Sequence, residues 1–173
     1  MPVLTSRRIS LSLSLSFAAM IALIPAALRA EDKKGDDGKY MTSDGSPTYK
    51  VGPDGTVDWF TFSGFRRYHS SCHVCHGPDG LGGSYAPNLI ESLKHMTYDQ
   101  YAQIVINGKK EVNSSQNLVM PQFGTDKNVV CYLDDIYVYL KARSDDKAPR
   151  GRPEKHEPVT EAAKQNENQC MGG

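Results

Sequence analysis

Cys72-His73-Val74-Cys75-His76 places two thiols about one helical turn apart, with an imidazole directly after the second. Two thiols at that spacing can each add to one vinyl group of a single haem, and the adjoining histidine then falls under the iron as its proximal ligand. A cysteine pair so spaced also serves thioredoxin-like exchange, which needs a βαβ setting, or zinc, which needs a second ligand pair. No βαβ pattern surrounds the motif, and the two other cysteines, Cys131 and Cys170, stand 39 positions apart. The expectation is therefore one covalently attached haem, held by Cys72 and Cys75, with His76 on the iron.

A sixth ligand would decide what such an iron can do. Met120-Pro121 lies 44 residues after His76, in a stretch with no helical or strand period. A thioether brought over the distal face would favour reduced iron and raise its potential. His69, His95 and Met96 are the other candidates. His69 belongs to the segment feeding the haem motif, and His95 and Met96 follow it by only about 20 residues, so Met120 fits the geometry best. Trp59 and Tyr85 could reach a propionate, although packing explains either one as well.

These groups need elements to hold them. Asp58 can cap a first helix in which Phe60, Gly64 and Tyr68 recur every four residues. Thr97-Tyr98-Asp99-Gln100 has the form of a capping box for a second helix, Tyr98 to about Asn107, which Gly108 would close. A third should run from about Lys127 to Arg143, with Val129, Leu133, Ile136 and Leu140 in one stripe. Glu111 to Thr125 reads as loop. A mostly α core of about 87 residues, 57–143, has little of its own to bury, so a haem would complete it.

The flanks differ in composition. Arg7 and Arg8, an apolar run from about Leu11 to Leu28 and small residues ending at Ala30 make residues 1–30 a signal peptide for export. Residues 31–56 should form a mobile arm and a short hairpin around Gly52-Pro53-Asp54-Gly55, and residues 144–173 a polar tail. Loss of Arg7, Arg8 and Arg29 with the leader leaves 17 basic against 20 acidic residues. That balance excludes the basic footprint of a nucleic-acid binder, and the mature chain has no second apolar run fit for stable membrane insertion. A monomer in the periplasm is the expectation. Outside the cytoplasm an even pair of cysteines left over from haem attachment usually closes, so a Cys131–Cys170 disulfide would tie the tail back. Otherwise Cys131 is a small buried hydrophobe and Cys170 a free or intermolecular thiol.

Residues 57–143 resemble the class I c-type cytochromes, whose fold packs three or more helices around one covalent haem c. Gly64 and Tyr68 match the small and aromatic positions where that family's N-terminal helix crosses its C-terminal helix, the partner side being Ile136 and Tyr139-Leu140-Lys141. Pro87 matches the proline whose carbonyl accepts the proximal imidazole's other proton, and Met120 matches the distal ligand. The run from Val57 to Cys72, the segment Gly82–Leu89 and the total of four cysteines further resemble cytochromes associated with methanol metabolism. That resemblance implies a non-enzymatic electron carrier. Its donor would be a pyrroloquinoline quinone (PQQ) alcohol dehydrogenase, such as methanol dehydrogenase, and its acceptor a downstream cytochrome or oxidase. The competing readings are a haem subunit permanently docked to another dehydrogenase, and a haem enzyme or gas sensor with a displaceable sixth ligand.

Overall fold

Asp58 starts the first long helix as the sequence suggests. Its carboxylate accepts from the Thr61 amide at 2.9 Å and the Thr61 hydroxyl at 2.6 Å, and the Lys50 amide donates to it at 2.7 Å. The computed structural model describes residues 32–112 and 117–172; the expected leader, residues 1–30, lies outside them. Helix α1 spans Trp59–Ser71 and runs into the short α2, His73–His76. After a loop come α3, Leu89–Ser92, and α4, Tyr98–Asn107, which carries the full capping box between Thr97 and Gln100.

The expected third helix is divided. Helix α5, Lys127–Val130, ends at Cys131, and α6 restarts at Leu133 and continues to Ser144. Tyr132 between them has φ −125° and ψ 20°, outside the helical basin. The break turns the Tyr132 ring beneath Arg67, whose guanidinium lies 3.4 Å from the ring centroid, and the Tyr132 hydroxyl donates to Glu167. A helical period alone does not register this contact, because its partner lies 35 residues away.

Helices α1 and α6 cross with their backbones in contact. A β-carbon on Gly64 would sit 1.8 Å from the Asp135 carbonyl oxygen and 2.8 Å from the Tyr139 β-carbon. Around this crossing Tyr68, Ile136, Tyr139 and Leu140 are almost completely buried. Asp135 is buried there too, accepting from the Ser63 hydroxyl at 2.6 Å, and burial pushes its carboxyl up to about 7.

Residues 33–48, expected to be a mobile arm, form a three-stranded antiparallel sheet of β1 (Lys33–Lys34), β2 (Tyr40–Met41) and β3 (Pro47–Thr48). Their own apolar content is small; distant groups hold them. Lys39 pairs with Asp134 at 2.7 Å, and the Thr160 hydroxyl donates to the Asp37 carbonyl at 2.5 Å. Thr48 therefore belongs to this sheet, and the expected hairpin shrinks to a turn closed by Gly52 N–H donating to Thr56 O at 2.8 Å beside a Val51–Val57 bridge. The stretch expected as loop, 111–125, also carries strand: β4 (Lys109–Val112) pairs antiparallel with β5 (Asn117–Met120), Lys109 opposite Met120.

The tail folds back along the body. His156 bridges Val57 in parallel and stacks on Phe62 at 3.8 Å. Thr160 caps α7, Glu161–Met171, and Gly172 ends it in the left-handed region. The Sγ atoms of Cys131 and Cys170 are bonded at 2.03 Å, joining α7 to the end of α5. Val138 of α6 is buried.

Candidate haem site

The haem motif sits where α1 hands over to α2. Tyr68, in the last turns of α1, donates its hydroxyl to the Gly77 carbonyl just past His76, so the α1–α6 crossing also fixes the end of the motif. Nothing in the spacing announces this contact, although Tyr68 is visible as a buried helix position. His76 N–H bonds Cys72 O at 3.1 Å, which winds the two cysteines and the histidine into a single turn. Neither Cys72 nor Cys75 takes part in a disulfide. Burial, with the Cys75 thiol beside it, pushes the Cys72 thiol up to about 11.

The loop after α2 then returns to His76. Gly82 N–H donates to His76 O at 2.9 Å, and Gly83 N–H to Ala86 O at 2.9 Å. Gly82 has φ +76°, and a β-carbon there would lie 2.6 Å from the Pro87 carbonyl carbon. This tight return brings Pro87 O to 3.1 Å from His76 Nδ1. With that proton directed to the carbonyl, the imidazole offers Nε2 to a metal. Burial lowers the His76 pKa, against the opposing pull of the Pro87 carbonyl, so the ring favours the neutral form that ligates. Asp79 anchors the same loop to the tail through Arg150 at 2.6 Å, an ion pair that sequence reasoning missed because its partner lies 71 residues on.

His76 opens into a cleft. Cys72, Cys75 and Pro87 line it from the side of the motif, and Leu118, Met120, Pro121 and Phe123 from β5 and the segment after it. Ile136 and Leu140 of α6, Tyr101 and Val105 of α4, and Leu93 close its depths. Met120 is thus delivered by the end of β5 rather than by an irregular loop. Strand alternation turns Leu118 and Met120 inward and leaves Asn117 and Val119 more exposed. Of the rival ligands, Met96 also lines the cleft, whereas His95 is exposed beside Glu91 and the His69 ring packs at a tilt against Phe65, centroids 4.1 Å apart. Tyr85 lines the mouth, and Trp59 packs against Phe62 and His156 instead.

The chemistry of this lining fits haem. The interior is aliphatic and aromatic, and its two charged residues, Lys109 and Glu111, pair with each other at 2.5 Å. Two thiols, a neutral imidazole and two thioethers, Met120 and Met96, are the donors in reach, a soft and intermediate set suited to iron porphyrin and its vinyl groups.

A small helical fold whose N- and C-terminal helices cross at a glycine, around a cleft entered by a C-x-x-C-H turn, defines a class: the chain belongs to the c-type cytochromes, which carry haem c covalently. Residues 62–140 match the family described as cytochrome C oxidase, cbb3-type, subunit III. The chain is 52% identical over 138 residues to cytochrome c-553I of Paracoccus denitrificans, an alignment covering 80% of this chain and 61% of that relative. It is 39% identical over 100 residues to cytochrome c-555 of Methylococcus capsulatus, covering 57% of this chain and 75% of the relative. Among solved structures it is similar to the c-type cytochrome XoxG from Methylobacterium extorquens AM1. The TM-score is 0.74 and the identity 49%, over 82% of this chain and 87% of that one.

Proposed function

We propose that this chain is a periplasmic one-electron carrier that accepts electrons from a quinoprotein methanol dehydrogenase and passes them to a downstream cytochrome or oxidase. The observation that carries the reading is the presence of His76 and Met120 on walls of one apolar cleft. Haem bound there would supply the one-electron couple. The residues of the chain would do the rest: Cys72 and Cys75 would hold the group by thioether bonds, and His76, oriented by Pro87 O, would ligate its iron. Met120 would supply the second ligand, where a substrate or gas would otherwise bind, and a thioether there would favour the reduced state. Leu118, Phe123, Ile136 and Leu140 exclude water, so the surroundings reorganise little when the charge changes.

Support for the donor comes from the Val57–Cys72 and Gly82–Leu89 segments, which resemble cytochromes of methanol metabolism, and from the likeness to XoxG. A quinone cofactor gives up two electrons and a carrier of this kind takes one, so the enzyme would reduce two copies in turn. Export fits the signal-peptide character of residues 1–30, and no helix among the described residues is long and apolar enough to cross a membrane. Stopped-flow mixing of the oxidised protein with purified methanol dehydrogenase and methanol tests the reading. Rapid appearance of the reduced absorption bands at micromolar concentrations is expected; no reduction over minutes would refute it.

A further inference from the structure

Arg143 carries a positive charge into the interior. It lies in the last turn of α6, is 7% exposed, and has no carboxylate paired with it among the described residues. Its guanidinium donates to the Ala148 carbonyl at 3.2 Å, and its buried Nε has no partner among those residues. Asp146, at φ +55°, turns the chain back over the end of α6, where the Ala148 amide meets Ala142 O at 3.0 Å. The acids close by are engaged elsewhere or face solvent. Asp145 holds Lys141 and Tyr49, Asp146 is exposed, and Asp79 takes both Nε and Nη2 of Arg150. A helix end gains from a cation, but Lys141 supplies one in the same turn from a half-buried position. The helix dipole therefore does not explain why Arg143 is enclosed, and enclosing a guanidinium without a carboxylate is unfavourable in itself.

Its place in the fold gives the charge a use. At about 100° per residue, Ile136, Leu140 and Arg143 share one stripe of α6, and Ile136 and Leu140 line the cleft. Leu140 also packs toward Gly80, in the loop that closes on His76 through Gly82 N–H. Asp79 belongs to that loop. The Arg150 hydrogen bond holds its carboxyl below the ordinary value, and the Arg143 charge adds the smallest of the pulls. Arg143 thus stands where the stripe passes from the cleft to the back of the loop that follows His76. We infer that Arg143 sets the reduction potential of the haem: a fixed, enclosed cation that biases the cleft toward the reduced state. A cation held nearby favours the state that carries one positive charge fewer, and with little water between them the effect is only weakly screened by salt. The inference rests on haem in the cleft, as the carrier reading does, and deepens that reading by naming a residue that biases the carrier toward accepting electrons. Met120 would act on the iron through a bond, Arg143 through space.

The test is a spectroelectrochemical titration of the haem-loaded full chain at pH 7, with no dehydrogenase present. Arg143→Gln and Arg143→Met should each move the redox equilibrium toward the oxidised form by at least about threefold, about 30 mV for a one-electron couple. Arg143→Lys, which keeps the charge, should stay within about 1.5-fold of the parent. The difference between neutral variant and parent should persist between about 20 and about 500 mM ionic strength. The absorption spectrum and the near-infrared sulfur band should not change, which separates a loss of charge from a displaced ligand. A neutral variant that keeps its spectrum but shifts less than about threefold overturns the inference and leaves the carrier reading standing. So does a shift that salt abolishes, or Arg143→Lys falling as far as Arg143→Gln. Failure of both neutral variants to load haem would make Arg143 a folding residue and overturn the inference as well. A parent chain that takes up no haem removes both readings.

Discussion

Replacing Gly64 by alanine adds one methyl group at the tightest point in the fold. In a helix interior that exchange by itself stabilises by about 1 kcal/mol. Here the new carbon would sit 1.8 Å from the Asp135 carbonyl oxygen and 2.5 Å from its carbon, whereas ordinary contact begins near 3.4 Å. The obstacle is backbone inside α6, so no rotamer can move aside; the helices themselves must part by more than an ångström. Overpacking against yielding side chains already costs about 1–3 kcal/mol. Parting the helices also loosens Tyr68, Ile136, Tyr139 and Leu140, each of which contributes about 1.5–3 kcal/mol when fully buried. Losing a quarter to a half of that packing outweighs the helical gain and leaves a net loss of about 3 kcal/mol, roughly 10 °C in Tm for a chain of this size. Thermal unfolding followed by far-ultraviolet circular dichroism measures it. A variant melting within about 2 °C of the parent, or above it, would show that the two backbones do not touch and refute the reasoning.

Three further outcomes are expected. Burial holds the Asp135 carboxyl up to about 7, against about 3.9 for an unfolded aspartate, so the folded chain keeps the proton longer and stability falls as pH rises from about 4 to 7. Asp135→Asn should remove that slope and gain on the order of 2–4 kcal/mol at pH 8 in urea titrations; equal stability at pH 8 would count against it. Cys131→Ser with Cys170→Ser opens a loop of 39 residues and should cost at most about 4 kcal/mol, read as a lower denaturant midpoint, and an unchanged midpoint would mean the bridge constrains nothing. Met120→Ala should abolish the weak near-infrared band of sulfur bound to oxidised iron; its persistence would pass the sixth position to Met96, the other thioether in the cleft wall.

What was legible in the sequence was local chemistry. The C-x-x-C-H turn, the Asp58 cap and the Thr97–Gln100 box each act within four residues, and each lies in the structure where its spacing indicates. The illegible parts depend on partners far along the chain. The first sheet is held by Lys39 on Asp134 and Asp37 on Thr160, contacts spanning 95 and 123 positions that no periodicity encodes. The β4–β5 pair hid for a different reason. Every residue of β4 is exposed, so it has no alternation to read, and only Leu118 and Met120 of β5 turn inward. Helix α7 was readable and was passed over: Thr160 caps it, helix-forming Ala162, Ala163, Lys164 and Gln165 follow, and Gly172 stops it.

The contacts between the first sheet and the tail also impose an order of assembly. Lys34 meets Glu157 at 3.2 Å and Asp37 meets Thr160, so the strands synthesised first are clasped by residues synthesised last. A chain emerging from its amino end can wind α1 and present Cys72 and Cys75 while its opening strands still lack their support. Non-local closure of this kind comes late, because the entropy of a long loop must be overcome before its contacts form. The two thiols therefore stay accessible through most of the chain's emergence, and the ends close over a body whose centre is already built.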